Sequence, residues 1–265
     1  MLYGTLGVSA LITLAPLFWM VSASFMRAGE ASAFPPPLVA KAPSLEHYRA
    51  LFTRLSMARH FVNSVVITFS ATVLAVLICA MAGYALAKLR FSGRDRLFRG
   101  MLSALVIPTQ VGMLPLFLQL KYMGLVNTYA GAIIPYLASI YGIFLVRQYV
   151  LSVPDDLLDA ARVDGAGELQ LFWTIVMPTI RPILVALGAY TFLAAWNDFM
   201  WPLIILSDES KYTLPVALAS LVGEHVQDTE LMMAGSVVTV LPVIVVFLAL
   251  QRVYVEGIMS GSVKG

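Results

Sequence analysis

The sequence predicts an all-α integral membrane protein of about six transmembrane helices. Of its 265 residues, 60% are hydrophobic and only 12% are charged, where soluble domains carry about 25% charged and about 45–50% apolar residues. The mean hydropathy is +0.85; a soluble fold of this length could not hide so much apolar surface, and the bilayer takes the excess. The apolar residues also form long continuous runs. Transmembrane β-strands would instead show alternating segments of about 10 residues.

A spanning helix needs roughly 20 mostly apolar residues. Six stretches qualify within a single transmembrane domain over residues 1–265, near 2–25, 61–87, 97–120, 129–150, 180–206 and 231–255. Toward the end of the first lie the small residues Ser22, Ala23 and Ser24, where a signal-peptide cleavage site could sit. No charge precedes it, however, and its apolar run exceeds the roughly 7–15 residues of a signal core, so an uncleaved helix is expected. Pro108, Pro115, Pro135 and Pro242 fall inside predicted spans and are expected to kink them, which is tolerated where other helices or water meet the freed carbonyls.

Between the second and third spans, Lys88, Arg90, Arg94, Arg96 and Arg99 crowd one short loop. Short loops rich in Lys and Arg stay cytoplasmic. With six spans, this loop, the segment around Arg147–Arg181 and both termini are then expected inside, with ten of the seventeen basic residues. Residues 34–43, outside, carry Pro35, Pro36, Pro37 and Pro43 and should be irregular. Ser44 then opens an amphipathic stretch with Leu45, Tyr48, Leu51 and Phe52 at helical spacing. Residues 214–222 are apolar but too short to cross.

The longest inside loop, 152–168, differs from the rest of the chain. Ser152 is placed to cap a helix whose first turn holds Pro154, Asp155 and Asp156, which suits the positive end of the helix dipole. Leu157, Leu158 and Ala161 form its apolar side, and Gly165 can end it in a left-handed conformation. A second helix is expected from Glu168, broken at Pro178. Small Ala160 and Ala161 would let another backbone approach, with the acids and Arg162 fixing the docking by charge. A helix lying on the membrane surface fits the same pattern.

Polar residues inside apolar runs are Gln110, Gln119, Asn197, Asp198, Thr239 and Gln251, and such groups tend to face partners or a water path. Asp198 is the carboxylate among them. It fits either a pathway wall or partner contact with Asn197, or a structural carboxylate near the interface, where Trp196 and Trp201 would act as belt anchors. His47, His60 and His225 are far apart and have no metal-ligand spacing, so no metal site is expected. There is no Walker-type phosphate loop and no nucleophile elbow, so the chain is not expected to be an enzyme. The single cysteine, Cys79, rules out an internal disulfide. The net charge of +2 gives no reason to expect a nucleic-acid partner.

Asp159-Ala160-Ala161, Gly165 and Ile175-Val176-Met177-Pro178 resemble the EAA loop of ATP-binding-cassette (ABC) importer permeases, with Asp159 where that family usually has Glu. Asn127-Thr128-Tyr129, Trp196-Asn197-Asp198-Phe199, Tyr212-Thr213-Leu214-Pro215-Val216 and the closing Gly257-Ile258-Met259-Ser260-Gly261-Ser262-Val263-Lys264-Gly265 look like the sugar-importer branch. The chain is similar there to the smaller permease of maltose-type importers. The resemblance implies a type I permease fold in a bacterial inner membrane, with Asp159, Ala160, Ala161, Arg162, Asp164 and Gly165 on a cytoplasmic coupling helix. It also implies a second homologous permease, two copies of a cytoplasmic ABC ATPase that bind ATP and Mg, and an extracytoplasmic sugar-binding protein. The tail 260–265 is similar to one that reaches between the ATPases, although termini often fray. The rivals are a permease for another solute such as glycerol phosphate, and an ATP-independent secondary transporter or channel. The first would favour basic residues in mid-span, and the second repeated halves with intramembrane charges.

Overall fold

The computed structural model describes the backbone of residues 2–224 and 228–262, and the side chains of 3–221 and 228–251. His225, residues 263–265 and the side chains of 260–262 lie outside the described residues. Every regular element among those described is helical. Three helices are individually long and apolar enough to cross a membrane: α1 (Leu2–Ala23), α3 (Met57–Lys88) and α14 (Thr229–Ser262). Three bent pairs supply the remaining candidates, giving up to six spans.

The stretch read as one span over 97–120 is two helices, α4 (Arg94–Ala104) and α5 (Thr109–Tyr122), which meet at 108°. The cause is local. Pro108 has no N–H to donate and holds an extended ψ of 134°, and a residue before proline is pushed away from helical angles. The region 129–150 is α6 (Tyr129–Ile133), a tight turn over Ile134–Tyr136, and α7 (Ile140–Val150), bent by 45°. Ser139 caps α7, its hydroxyl accepting from the Gly142 N–H at 3.2 Å.

The chain clusters into two compact units, residues 1–64 with 208–245, and 65–207 with 246–265. In the first, α1 exposes most of its apolar side chains (Leu11 is 72% exposed), leaving them for lipid or another subunit to cover. The proline-rich segment folds back on the end of α1: the Trp19 indole donates to the Pro37 carbonyl at 3.1 Å, and the Ser44 N–H to Phe25 at 2.8 Å. Short α2 (Glu46–Thr53) buries His47 and Leu51, while Leu45 and Phe52, expected on its packed side, are exposed. The helix starts one residue after Leu45, so the i,i+4 pair 47 and 51 becomes its inner stripe. The 11-residue helix α13 (Leu214–Glu224) starts where the Leu214 N–H meets the Ser64 hydroxyl at 2.7 Å. Glu230, fully buried, accepts from the Ala31 N–H at 2.7 Å.

The second unit holds the larger core, with Cys79, Tyr84, Val146, Val150, Leu158 and Leu187 among its buried side chains. Helices α3 and α7 approach closely at Gly83. A Cβ there would lie 2.6 Å from Val146 Cγ1 and 3.0 Å from the Arg147 nitrogen, so only glycine fits. Arg147 sits 4.0 Å above the Phe98 ring and donates from Nε to the Leu86 carbonyl at 3.1 Å. These contacts join α3, α4 and α7 at the end from which loop 152–168 emerges.

Candidate functional site

The loop 152–168 is organised from its two ends. Helix α8 (Asp155–Val163) begins after Pro154 and not on a Ser152 cap. The Ser152 hydroxyl turns back to donate to the Tyr149 carbonyl at 2.7 Å. Pro154, extended and without an N–H, occupies the cap position, so the first turn relies on Asp155 and Asp156 to complement the dipole. At the other end Gly165 has φ +88°. Its N–H reaches the Arg162 carbonyl at 3.0 Å and the Ala166 N–H reaches Ala161 at 3.0 Å, the paired bonds of a Schellman cap.

Charge then ties α8 to the body of its unit. Lys88, at the end of α3, donates from Nζ to Asp155 Oδ1 and to the Val153 carbonyl, both at 2.6 Å. That bond holds the Asp155 carboxyl below its usual range. Arg162 donates to Glu168 at 2.9 Å and to Asp159 at 2.7 Å; these two bonds, Glu168 first, hold the guanidinium above its ordinary value and firmly charged. The Tyr84 hydroxyl closes the chain, donating to the other Glu168 oxygen at 2.5 Å. Leu158 is fully buried beneath the helix. Outward, α8 presents Asp159, Ala160 and Leu157, with Asp164 and Gly165 exposed beyond it and Ala161 half-buried. The second helix runs from α9 (Glu168–Leu171) through a wider turn at Phe172–Val176 and α10 (Met177–Thr179). Its break comes at Ile180, after Pro178, where α11 (Arg181–Trp196) sets off at 79°.

Among the predicted site residues, Asp159, Ala160, Ala161, Arg162, Asp164 and Gly165 therefore share one capped helix. Tyr84, Lys88 and Glu168, which hold it, were not singled out. Lys88 read only as one of several loop charges, and Tyr84 lies in an apolar run where nothing marks its partner.

Asn197 and Asp198 lie elsewhere in the same unit. The stretch 180–206 is not one span: α11 ends at Trp196 and α12 (Met200–Ile205) follows after a gap. Asp198 fills that gap. One oxygen accepts from the Tyr136 hydroxyl at 2.5 Å, the other from the Trp201 N–H at 3.3 Å. The Trp201 indole donates to the Gly131 carbonyl at 3.1 Å, and the Asn127 N–H to Ile205 at 2.7 Å. Asn197 is exposed, with its amide donating to Leu193 in its own helix at 2.8 Å. Asp198 thus clamps two chain segments, 127–136 and 198–207, together. No group of histidine, cysteine or carboxylate side chains among the described residues could hold a metal ion.

Residues 75–259 match the family described as binding-protein-dependent transport system inner membrane component. The chain is 37% identical over 263 residues to the arabinooligosaccharides transport system permease protein AraQ of Halalkalibacterium halodurans, covering 97% of this chain and 93% of that one. It is 32% identical over 262 residues to the diacetylchitobiose uptake system permease protein NgcG of Streptomyces coelicolor, covering 96% and 85%. It shares its fold, at a TM-score of 0.82 and 24% identity over 94% of both chains, with a chain of a bacterial ABC transporter involved in the import of the acidic polysaccharide alginate. The helical architecture is thus that of an ABC importer permease, and the chain belongs to the family of inner membrane components of binding-protein-dependent transport systems.

Proposed function

We propose that this chain forms half of the translocation pathway of an ATP-driven importer for a sugar or oligosaccharide, and that α8 couples it to the ATPase. Its pathway partner is a second, homologous permease. Two copies of a cytoplasmic ATPase bind the ATP and Mg, and an extracytoplasmic sugar-binding protein delivers the solute. The chain itself carries no catalytic centre, and its termini and loop 152–168 face the cytoplasm.

The observation that carries the coupling role is the state of α8. Asp155, Asp159 and Arg162 are bonded within its own unit, its underside is anchored by Leu158, and its C-terminus is fixed by Gly165, while Asp156 and Asp164 stay exposed. Such a helix moves as a rigid peg, with Ala160 giving another backbone room to approach. ATP-driven closure of the two ATPases would push such pegs together and switch the permease pair between two discrete packings, rather than bend it continuously. The sugar class is supported by the relatives' names and by the lack of basic residues in the middle of the third to sixth predicted spans, which argues against an anionic solute such as glycerol phosphate.

The test is co-purification, in detergent, of the ATPase encoded beside this chain with wild type, Gly165→Pro and Ala161→Glu. Proline cannot take φ +88°, and a glutamate at half-buried Ala161 crowds the helix's edge and adds an unpaired charge there. Variants that insert normally but lose both the ATPase and solute-stimulated ATP hydrolysis support the reading. Transport that persists without ATP, with no ATPase bound to wild type, overturns it in favour of a secondary transporter. Stimulation by a phosphorylated solute and not by sugars would move the substrate class alone. Asp198→Asn separates a clamp from a pathway contact. As a clamp, Asn keeps an acceptor for the Tyr136 hydroxyl and gives up only the longer bond from the Trp201 N–H, and transport stays within about twofold, whereas Asp198→Ala leaves both donors unpaired and costs about 1–3 kcal/mol of stability.

A further inference from the structure

We infer that the loop between α3 and α4, with the first turns of α4, is a binding site for the headgroup of an anionic phospholipid. Five basic residues lie within twelve positions here, and the structure divides them. Lys88 turns inward to Asp155. Arg94 is half-buried, donating to the Leu89 carbonyl at 3.2 Å and to Asp95 at 3.3 Å. Arg90, Arg96 and Arg99 are exposed. Among the described residues none takes a hydrogen bond from Arg90 or Arg96, and Arg99 spends only its Nε, on the Asp95 carbonyl at 3.2 Å. The two carboxylates nearby, Asp95 and Asp155, are already paired with Arg94 and Lys88. The patch therefore keeps its positive charge, and its guanidinium forks suit phosphate oxygens.

Charge complementarity and position together select the occupant. The patch lines a shallow, open concavity bordered by Arg90, Arg94, Arg96 and Arg99. It stands where α3 ends and the apolar pair α4–α5 begins, at the level where a membrane segment meets water. Apolar Phe91 and Leu97 are 44% and 53% exposed among the arginines, an arrangement that inserts side chains below a headgroup plane while the cations stay in it. The 108° turn between α4 and α5 means that the two cannot both follow the membrane normal. On α4, Phe98 packs against the core, and Arg96 and Arg99 lie one turn apart on the open side. Free phosphate would meet the same arginines but would gain nothing from Phe91 and Leu97.

The proposal rests on the family's membrane location and not on the sugar or ATPase reading. Native mass spectrometry of the purified transporter would measure retention of phosphatidylglycerol against phosphatidylcholine of the same acyl chains. Wild type should prefer the anionic lipid. The triple change Arg90→Gln, Arg96→Gln, Arg99→Gln should erase that preference, at roughly fivefold per arginine and on the order of a hundredfold in all. The corresponding Arg→Lys triple should keep most of it, which also controls for folding. Leu97→Ser with Phe91→Ser should weaken retention with no change in charge. Equal retention by wild type and the Gln triple overturns the proposal, as does displacement of phosphatidylglycerol by millimolar inorganic phosphate. Loss of the ATPase subunit from the Gln triple, with lipid retention intact, would assign the patch to a protein partner instead.

Discussion

Two loops at the same end of the second unit, 89–99 and 152–168, each lead into a short helix but differ in electrostatics. In 152–168 the charges of Asp155, Asp159, Arg162 and Glu168 are all spent on one another, on Lys88 or on Tyr84. In 89–99, Arg90, Arg96 and Arg99 reach outward with little to hold them. Both loops also contain a left-handed glycine, Gly93 at φ +86° before α4 and Gly165 at φ +88° after α8. The difference shows that charge content alone does not define a loop's role. A loop most of whose charges are bonded within the chain is a rigid element that can transmit force. A loop whose charges are left over is a surface that waits for counter-charge.

The contrast can be broken at several points. Tyr84→Phe removes a bond to the Glu168 carboxylate and should cost about 1.5 kcal/mol, the low end for a charged acceptor because Glu168 is half exposed. Thermal unfolding in detergent would read it, and an unchanged midpoint would mean that α8 is not held from below. Next in size, Gly165→Ala and Gly93→Ala should each cost about 1 kcal/mol, since both force an L-residue into left-handed angles. Only Gly165→Ala should lower ATPase coupling; equal losses from both would erase the functional distinction between the loops.

A smaller effect is expected from pH. The Asp155 carboxyl is held low by Lys88, so its contribution is present above the ordinary carboxylate range and is lost as pH falls through the depressed value. Amide protection in α8, measured against the intrinsic rate at each pH, should therefore fall below about pH 4 in wild type, and Asp155→Asn should show the lower protection already at neutral pH with little further change. Last, Arg90→Gln should move stability by no more than about 0.5 kcal/mol, because no described residue takes a hydrogen bond from it and its charge acts only weakly on Asp155. A larger loss would show that the free loop is a structural one after all.

The apolar runs of this sequence were legible as membrane segments because spanning length and hydrophobicity are one-dimensional properties. Helix α8 was legible as well: Gly165 at the end of an acidic, Ala-bearing stretch specifies its own cap by local backbone chemistry. Breaks were less so. Pro108 was visible as a kink, but a 108° turn depends on how α4 packs, through Phe98 against Phe144 and Arg147. The gap at Asn197–Phe199 could not be read from a stretch whose flanking residues are all apolar.

The chain by itself thus determined its class, its approximate apolar segments and the place of the capped helix α8, because each of these follows from local composition or from residues within one or two turns of each other. Only the tertiary structure decided which charges are consumed and which remain. Lys88 meets Asp155 across 67 residues, Tyr84 meets Glu168 across 84, and Tyr136 meets Asp198 across 62. Pairings over such separations come from the packing of helices whose apolar faces are nearly interchangeable in sequence. The same packing, not the count of arginines, leaves three of them facing outward.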